Sequence, residues 1–63
     1  MNNGNGQREK IGQYLVRLDY LSFEQAEEVL RIQQENPGRK FGDIAVELGY
    51  IDREILEEYI AAQ

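Results

Sequence analysis

The segments KIGQYLVRLDYLSFEQAEEVLRIQ (residues 10–33) and KFGDIAVELGYIDREILEEYIAAQ (residues 40–63) decide the fold, because a shift of 30 residues lays one on the other. Nine of the 24 aligned positions are identical. They pair Lys10 with Lys40, Gly12 with Gly42, Val16 with Val46, Leu18 with Leu48, Tyr20 with Tyr50, Glu24 with Glu54, Glu27 and Glu28 with Glu57 and Glu58, and Gln33 with Gln63. Two unrelated helical hairpins can share apolar spacing, but a shared Gly, Lys and closing Gln points to duplication. The chain therefore reads as one duplicated domain over residues 9–63, preceded by a lead-in at residues 1–8 whose Asn, Gly and Gln content predicts disorder.

Each copy reads as two helices. Ile11, Tyr14, Leu15 and Leu18 follow the i, i+3, i+4, i+7 spacing of a buried helical stripe, and Phe41, Ile44, Ala45 and Leu48 repeat it. Ser22 has the features of an N-cap, with Gln25 as its capping-box partner and Leu21 and Ala26 as a hydrophobic staple. Asp52 takes that role in the second copy, where Ile51 and Leu56 form the staple and Ile55 replaces the capping-box Gln. The second helices are expected to bury Ala26, Val29 and Leu30, or Leu56, Tyr59 and Ile60, and to expose Glu27, Glu28 and Arg31, or Glu57 and Glu58. Gly49 supplies a left-handed helix end, and Asn36-Pro37-Gly38 joins the copies. The expected fold class is all-α: four short helices near residues 9–18, 22–35, 40–49 and 52–62, two tandem helix-turn-helix repeats packed in a small bundle. No alternating pattern competes with it.

With 63 residues, a core of this kind supplies only about 3–5 kcal/mol of net stability, so a ligand or partner can matter to the fold. Without cysteine or histidine, the chain has no disulfide, no thiolate or imidazole metal site and no Cys/His catalysis. It has no apolar run near membrane-span length and no signal-peptide pattern, so the expected location is the cytoplasm, without direct membrane insertion. A net charge of −5 disfavours long nucleic acid, since sequence-independent binding needs a cationic surface. A small anion held by local cations remains open. Neither a phosphate-binding loop nor a nucleophile paired with a base is present, so no enzyme is expected and no catalytic residue is assigned.

Gly12 and Gly42 stand at the same point of a helix's first turn, where Gly costs about 1 kcal/mol relative to Ala. Either a ligand approaches the backbone there or helices pack closely. Arg8, Lys10, Arg39 and Lys40 gather at these helix starts, against the macrodipole preference for acids. A bound anion resolves that conflict; solvated ends of a tail and a hinge are the alternative. Gln33 and Gln63 close the apolar faces with a carboxamide suited to a base edge or a neighbouring backbone, or are ordinary polar helix ends. The tyrosines Tyr14, Tyr20, Tyr50 and Tyr59 fall on apolar positions and read as core residues with solvated hydroxyls rather than stacking platforms, Tyr20 and Tyr50, at the turns, being the exceptions to test.

These residues resemble the N-terminal domain of type II secretion and type IV pilus assembly ATPases of the MshE type, whose pattern is a twice-repeated 24-residue motif. Lys10-Ile11-Gly12, Leu15-Val16, Asp19-Tyr20-Leu21, Ala26, Leu30 and Gln33 fill the first copy. Lys40-Phe41-Gly42, Ala45-Val46, Gly49-Tyr50-Ile51, Leu56, Ile60 and Gln63 fill the second. The resemblance implies a regulatory module that binds cyclic di-GMP, with no other cofactor. It implies ligand contacts from Lys10, Gly12 and Gln33, from Lys40, Gly42 and Gln63, and from Ile11, Leu15, Leu30 and Phe41 packing on the bases. Lys stands in both copies where the motif has Arg, and Asp19 replaces a Gly. Arg39 is a candidate to supply the missing guanidinium fork, and Asp43 to accept from a guanine N–H. Related domains also dock secretion or pilus ATPases onto their assemblies, which makes a protein-docking module the alternative.

Overall fold

The computed structural model describes residues 9–62. The expectations for residues 1–8, Arg8 included, and for Gln63 lie outside them. Four helices follow in order: α1 (Ile11–Arg17), α2 (Phe23–Glu35), α3 (Phe41–Glu47) and α4 (Arg53–Ala61), with no strand among the described residues. The chain is all-α, and α3 packs against each of the other three helices. None of the described helices is long and apolar enough to cross a membrane.

Local chemistry sets the boundaries. At α2 the Ser22 side chain accepts from the Gln25 amide at 3.0 Å, while Gln25 Oε1 accepts from the Ser22 amide at 2.9 Å. At α4 Asp52 accepts from the Ile55 amide at 3.3 Å, without a reciprocal bond. α1 and α3 start at Lys10 and Lys40, and neither side chain caps its helix. Both short helices end in a Schellman motif. Tyr20 N–H donates to the Leu15 carbonyl at 2.9 Å and Asp19 N–H to Val16 at 3.1 Å; Tyr50 and Gly49 donate likewise to Ala45 and Val46, at 3.0 Å each. The left-handed residue is Gly49 at φ 80° in repeat two and Asp19 at φ 67° in repeat one. Asp19 thus occupies the glycine position of the motif at the ordinary conformational cost of a short polar side chain. At the connection, Arg39 N–H closes a turn on the Asn36 carbonyl at 2.9 Å, and Asn36 Nδ2 donates to Ile32 at 2.9 Å.

Leu15, Leu21, Ala26, Val29, Phe41, Ile44, Ala45, Ile51 and Leu56 form one core. Both staples are therefore buried. Four expectations of burial need correction: Leu30 is 46% exposed and Ile60 60%, and Leu18 and Leu48 are also exposed. α2 packs against α1 and α3 and α4 chiefly against α3, and these neighbours do not cover the outer apolar positions, so the buried stripe is narrower than the apolar stripe of the sequence.

The packing is reciprocal. A Cβ added at Gly12 would meet the Phe41 ring, at 3.2 Å from Cζ, and one at Gly42 would meet Ile11 Cδ1 at 3.1 Å. Each short helix thus lays its first apolar residue over the glycine of the other. Both glycines are explained by close packing.

Candidate functional site

The reciprocity breaks at one position. Leu56 of α4 covers Gly42, so closely that a Cβ there would collide with its Cδ1. The residue equivalent to Leu56 in repeat one is Ala26, three carbons shorter. Gly42 is accordingly buried, whereas Gly12 remains partly open. The space that a leucine would fill over Gly12 belongs to a groove of about 820 Å³ between α1 and α2, with Phe41 and Tyr59 reaching it from repeat two.

Ile11, Val16, Ala26 and Phe41 supply its apolar surface, and Phe23 and Leu30 extend that surface outward along α2. Phe23 is 68% exposed. The charged lining residues are Lys10, Arg17 and Glu27, and with Glu9, which pairs with Arg17, the local charges balance (two cations, two acids) in a chain of net charge −5. Gln33 stands at the far end and donates from Nε2 to the Arg39 carbonyl at 3.2 Å, so its carboxamide holds the connection between the repeats, and its oxygen has no partner among the described residues.

Glu9 and Arg17 form a two-pronged ion pair beside the groove. Arg17 Nε donates to the two carboxylate oxygens at 3.2 and 3.1 Å, and Nη2 donates to Oε1 at 2.8 Å. This donation holds the Glu9 carboxyl below the usual carboxylate range and pushes the Arg17 guanidinium further up. Two tyrosines steady the pair. Tyr59 Oη donates to the Glu9 carbonyl at 2.7 Å, and Arg17 lies over the ring of Tyr14, Cζ 5.8 Å from its centre. The Tyr14 and Tyr59 rings meet edge to face at 5.0 Å. Two of the tyrosine hydroxyls expected to be solvated are therefore bonded: that of Tyr59, and that of Tyr50, which donates to Glu28 and is raised in pKa chiefly by that bond.

Of the residues singled out from sequence, Lys10, Ile11, Gly12, Leu30, Gln33 and Phe41 come together around the groove. Leu15 is wholly buried and offers a ligand no surface, and Gly42 lies beneath Leu56. Lys40 and Asp43 are exposed away from the groove lining, and Arg39 pairs with Glu47 at 2.8 Å. Sequence reasoning passed over Glu9 and Arg17 and read Ala26 and Tyr59 as core residues without a place at the site. A signal for the first two existed: at the same 30-residue shift Glu9 aligns with Arg39 and Arg17 with Glu47, so each repeat carries one ion pair with its charges exchanged.

No protein-family model, no characterised protein and no solved structure matches the chain.

Proposed function

We propose that this domain is a cytoplasmic regulatory module that binds cyclic di-GMP in the groove between α1 and α2. One observation carries the reading: six of the motif residues that the resemblance assigns to ligand contact line this single groove. Its volume falls within the few hundred to 1,000 Å³ of small-ligand sites. The apolar surface of Ile11, Val16 and Phe41 suits the face of a purine, and Lys10 offers phosphate a cation at the groove's edge. The rim formed by Phe23 and Leu30 favours, as a second reading, a docking module for a secretion or pilus assembly protein.

Titration calorimetry with cyclic di-GMP tests the first reading. Saturable binding is expected in the wild type, and at a hundredfold excess over Kd the ligand adds about 2.7 kcal/mol of stability, visible as a raised Tm. Ala26→Leu places in repeat one the side chain that closes the equivalent space in repeat two, and is expected to abolish binding while the helical circular-dichroism spectrum is kept. Absence of binding at millimolar ligand overturns the proposal and leaves the docking module. Binding undiminished in Ala26→Leu moves the site out of the groove.

A further inference from the structure

Within the cyclic di-GMP reading, on which this inference rests, the site needs a group that tells guanine from adenine, and Lys10 does not supply it. An ammonium is a point charge and cannot present the planar pair of N–H donors that matches guanine O6 and N7. Arg17 can, and it lines the same groove one helical turn after Gln13.

The geometry leaves the correct edge available. A guanidinium has five N–H donors. Glu9 takes the side edge, accepting from Nε and from Nη2. The outer edge, with one N–H from Nη1 and the second from Nη2, keeps two nearly parallel donors. The Arg17 side chain is 59% exposed, so this edge is open to a ligand. Its direction is held by the carboxylate on one side and the Tyr14 ring beneath, and Glu9 is itself anchored through its carbonyl by Tyr59. A fork already oriented loses less freedom on binding than one recruited from a solvated side chain.

Repeat two has no equivalent. Glu47 occupies the position of Arg17, and Arg39, aligned with Glu9, reaches it through Nη2 alone and does not line the groove. We propose that Arg17, positioned by Glu9, reads the Hoogsteen edge of one guanine, so that recognition of the pseudo-symmetric ligand is one-sided and resides in repeat one.

The test is calorimetry on the whole chain with cyclic di-GMP and, as comparator, cyclic di-AMP. Arg17→Lys keeps the charge and removes the fork. It is expected to weaken cyclic di-GMP binding about tenfold or more, to reduce the preference for guanine over adenine by the same factor, and to leave cyclic di-AMP binding unchanged. Glu9→Gln, which frees the guanidinium without removing it, is expected to lower the preference by a smaller factor. Arg39→Lys is expected to leave it intact. If the wild type binds cyclic di-GMP and Arg17→Lys preserves both affinity and preference, the Arg17 assignment falls while the ligand reading stands. An equal loss in Arg39→Lys also overturns the one-sided assignment. A wild type that binds neither nucleotide ends both readings together.

Discussion

α1 and α3 carry the same sequence motif and occupy different environments. α3 buries Phe41, Gly42, Ile44 and Ala45, whereas α1 buries only Leu15. The difference arises from what lies over each helix: α3 sits against all three others, and Leu56 closes the space above its glycine, while above α1 the shorter Ala26 leaves a groove. One copy of the motif works as the centre of the core, and the equivalent surface of the other remains free. Two copies of one motif therefore need not make two copies of one site.

Mutations that treat the repeats alike should have unlike effects. The largest is expected at Ile44, which is 1% exposed in α3: Ile44→Ala should remove about 2–4 kcal/mol, most of the stability of a domain this size. A loss below about 1 kcal/mol in urea denaturation would break the claim that α3 centres the core. Next come the glycines. Gly42→Ala forces apart Leu56 and Ile11 and should destabilise by about 1–3 kcal/mol, the typical cost of overpacking. Gly12→Ala asks the Phe41 ring to shift by a few tenths of an ångström, and the roughly 1 kcal/mol gained in helix propensity should offset most of the strain. Equal effects at the two glycines would refute the asymmetric packing.

Smaller still is the pair of helix ends. Gly49→Ala should cost about 1 kcal/mol for a Cβ at positive φ, whereas Asp19→Gly should be neutral or stabilise by a few tenths. Thermal melts of the two variants measured together sharpen the comparison of the motifs' C-termini.

The weakest expected effect is the pH dependence of the exposed Glu9–Arg17 pair. Folding lowers the Glu9 pKa, so its contribution is present above the usual carboxylate value and is lost as the pH falls through the lowered one. The difference in Tm between wild type and Glu9→Gln should accordingly shrink on acidification. Tyr50 acts at the opposite end of the scale. Its pKa is raised, so its contribution holds below the ordinary phenol value and is lost as the pH rises through the raised one. A Tyr50→Phe variant should lack that alkaline loss.

Helix starts, caps and turns were legible in the sequence because each depends on residues within one turn of itself, as at Ser22-Gln25 and at Gly49. The left-handed backbone of Asp19 could be inferred only through its alignment with Gly49. The width of the buried stripe was not legible, since apolar spacing marks Leu18 and Leu30 as core candidates without saying how many neighbours a four-helix domain can offer. Half of the candidate site was readable as motif residues. The rest escaped for two reasons: Ala26 and Leu56 count as the same apolar class though their size difference makes the groove, and the ion pairs exchange sign between repeats, which a search for identities passes over.

The reciprocal placement of Ile11 over Gly42 and Phe41 over Gly12 has the form of a contact between two identical subunits related by a dyad. Joined through Asn36-Pro37-Gly38, the halves meet at an effective concentration of millimolar order, independent of how much protein is present. A tethered dimer is also released from symmetry, because each half can change without altering its counterpart. A freely associating dimer of one repeat would carry the same residue at positions 26 and 56 in both subunits, and would have either two grooves or none.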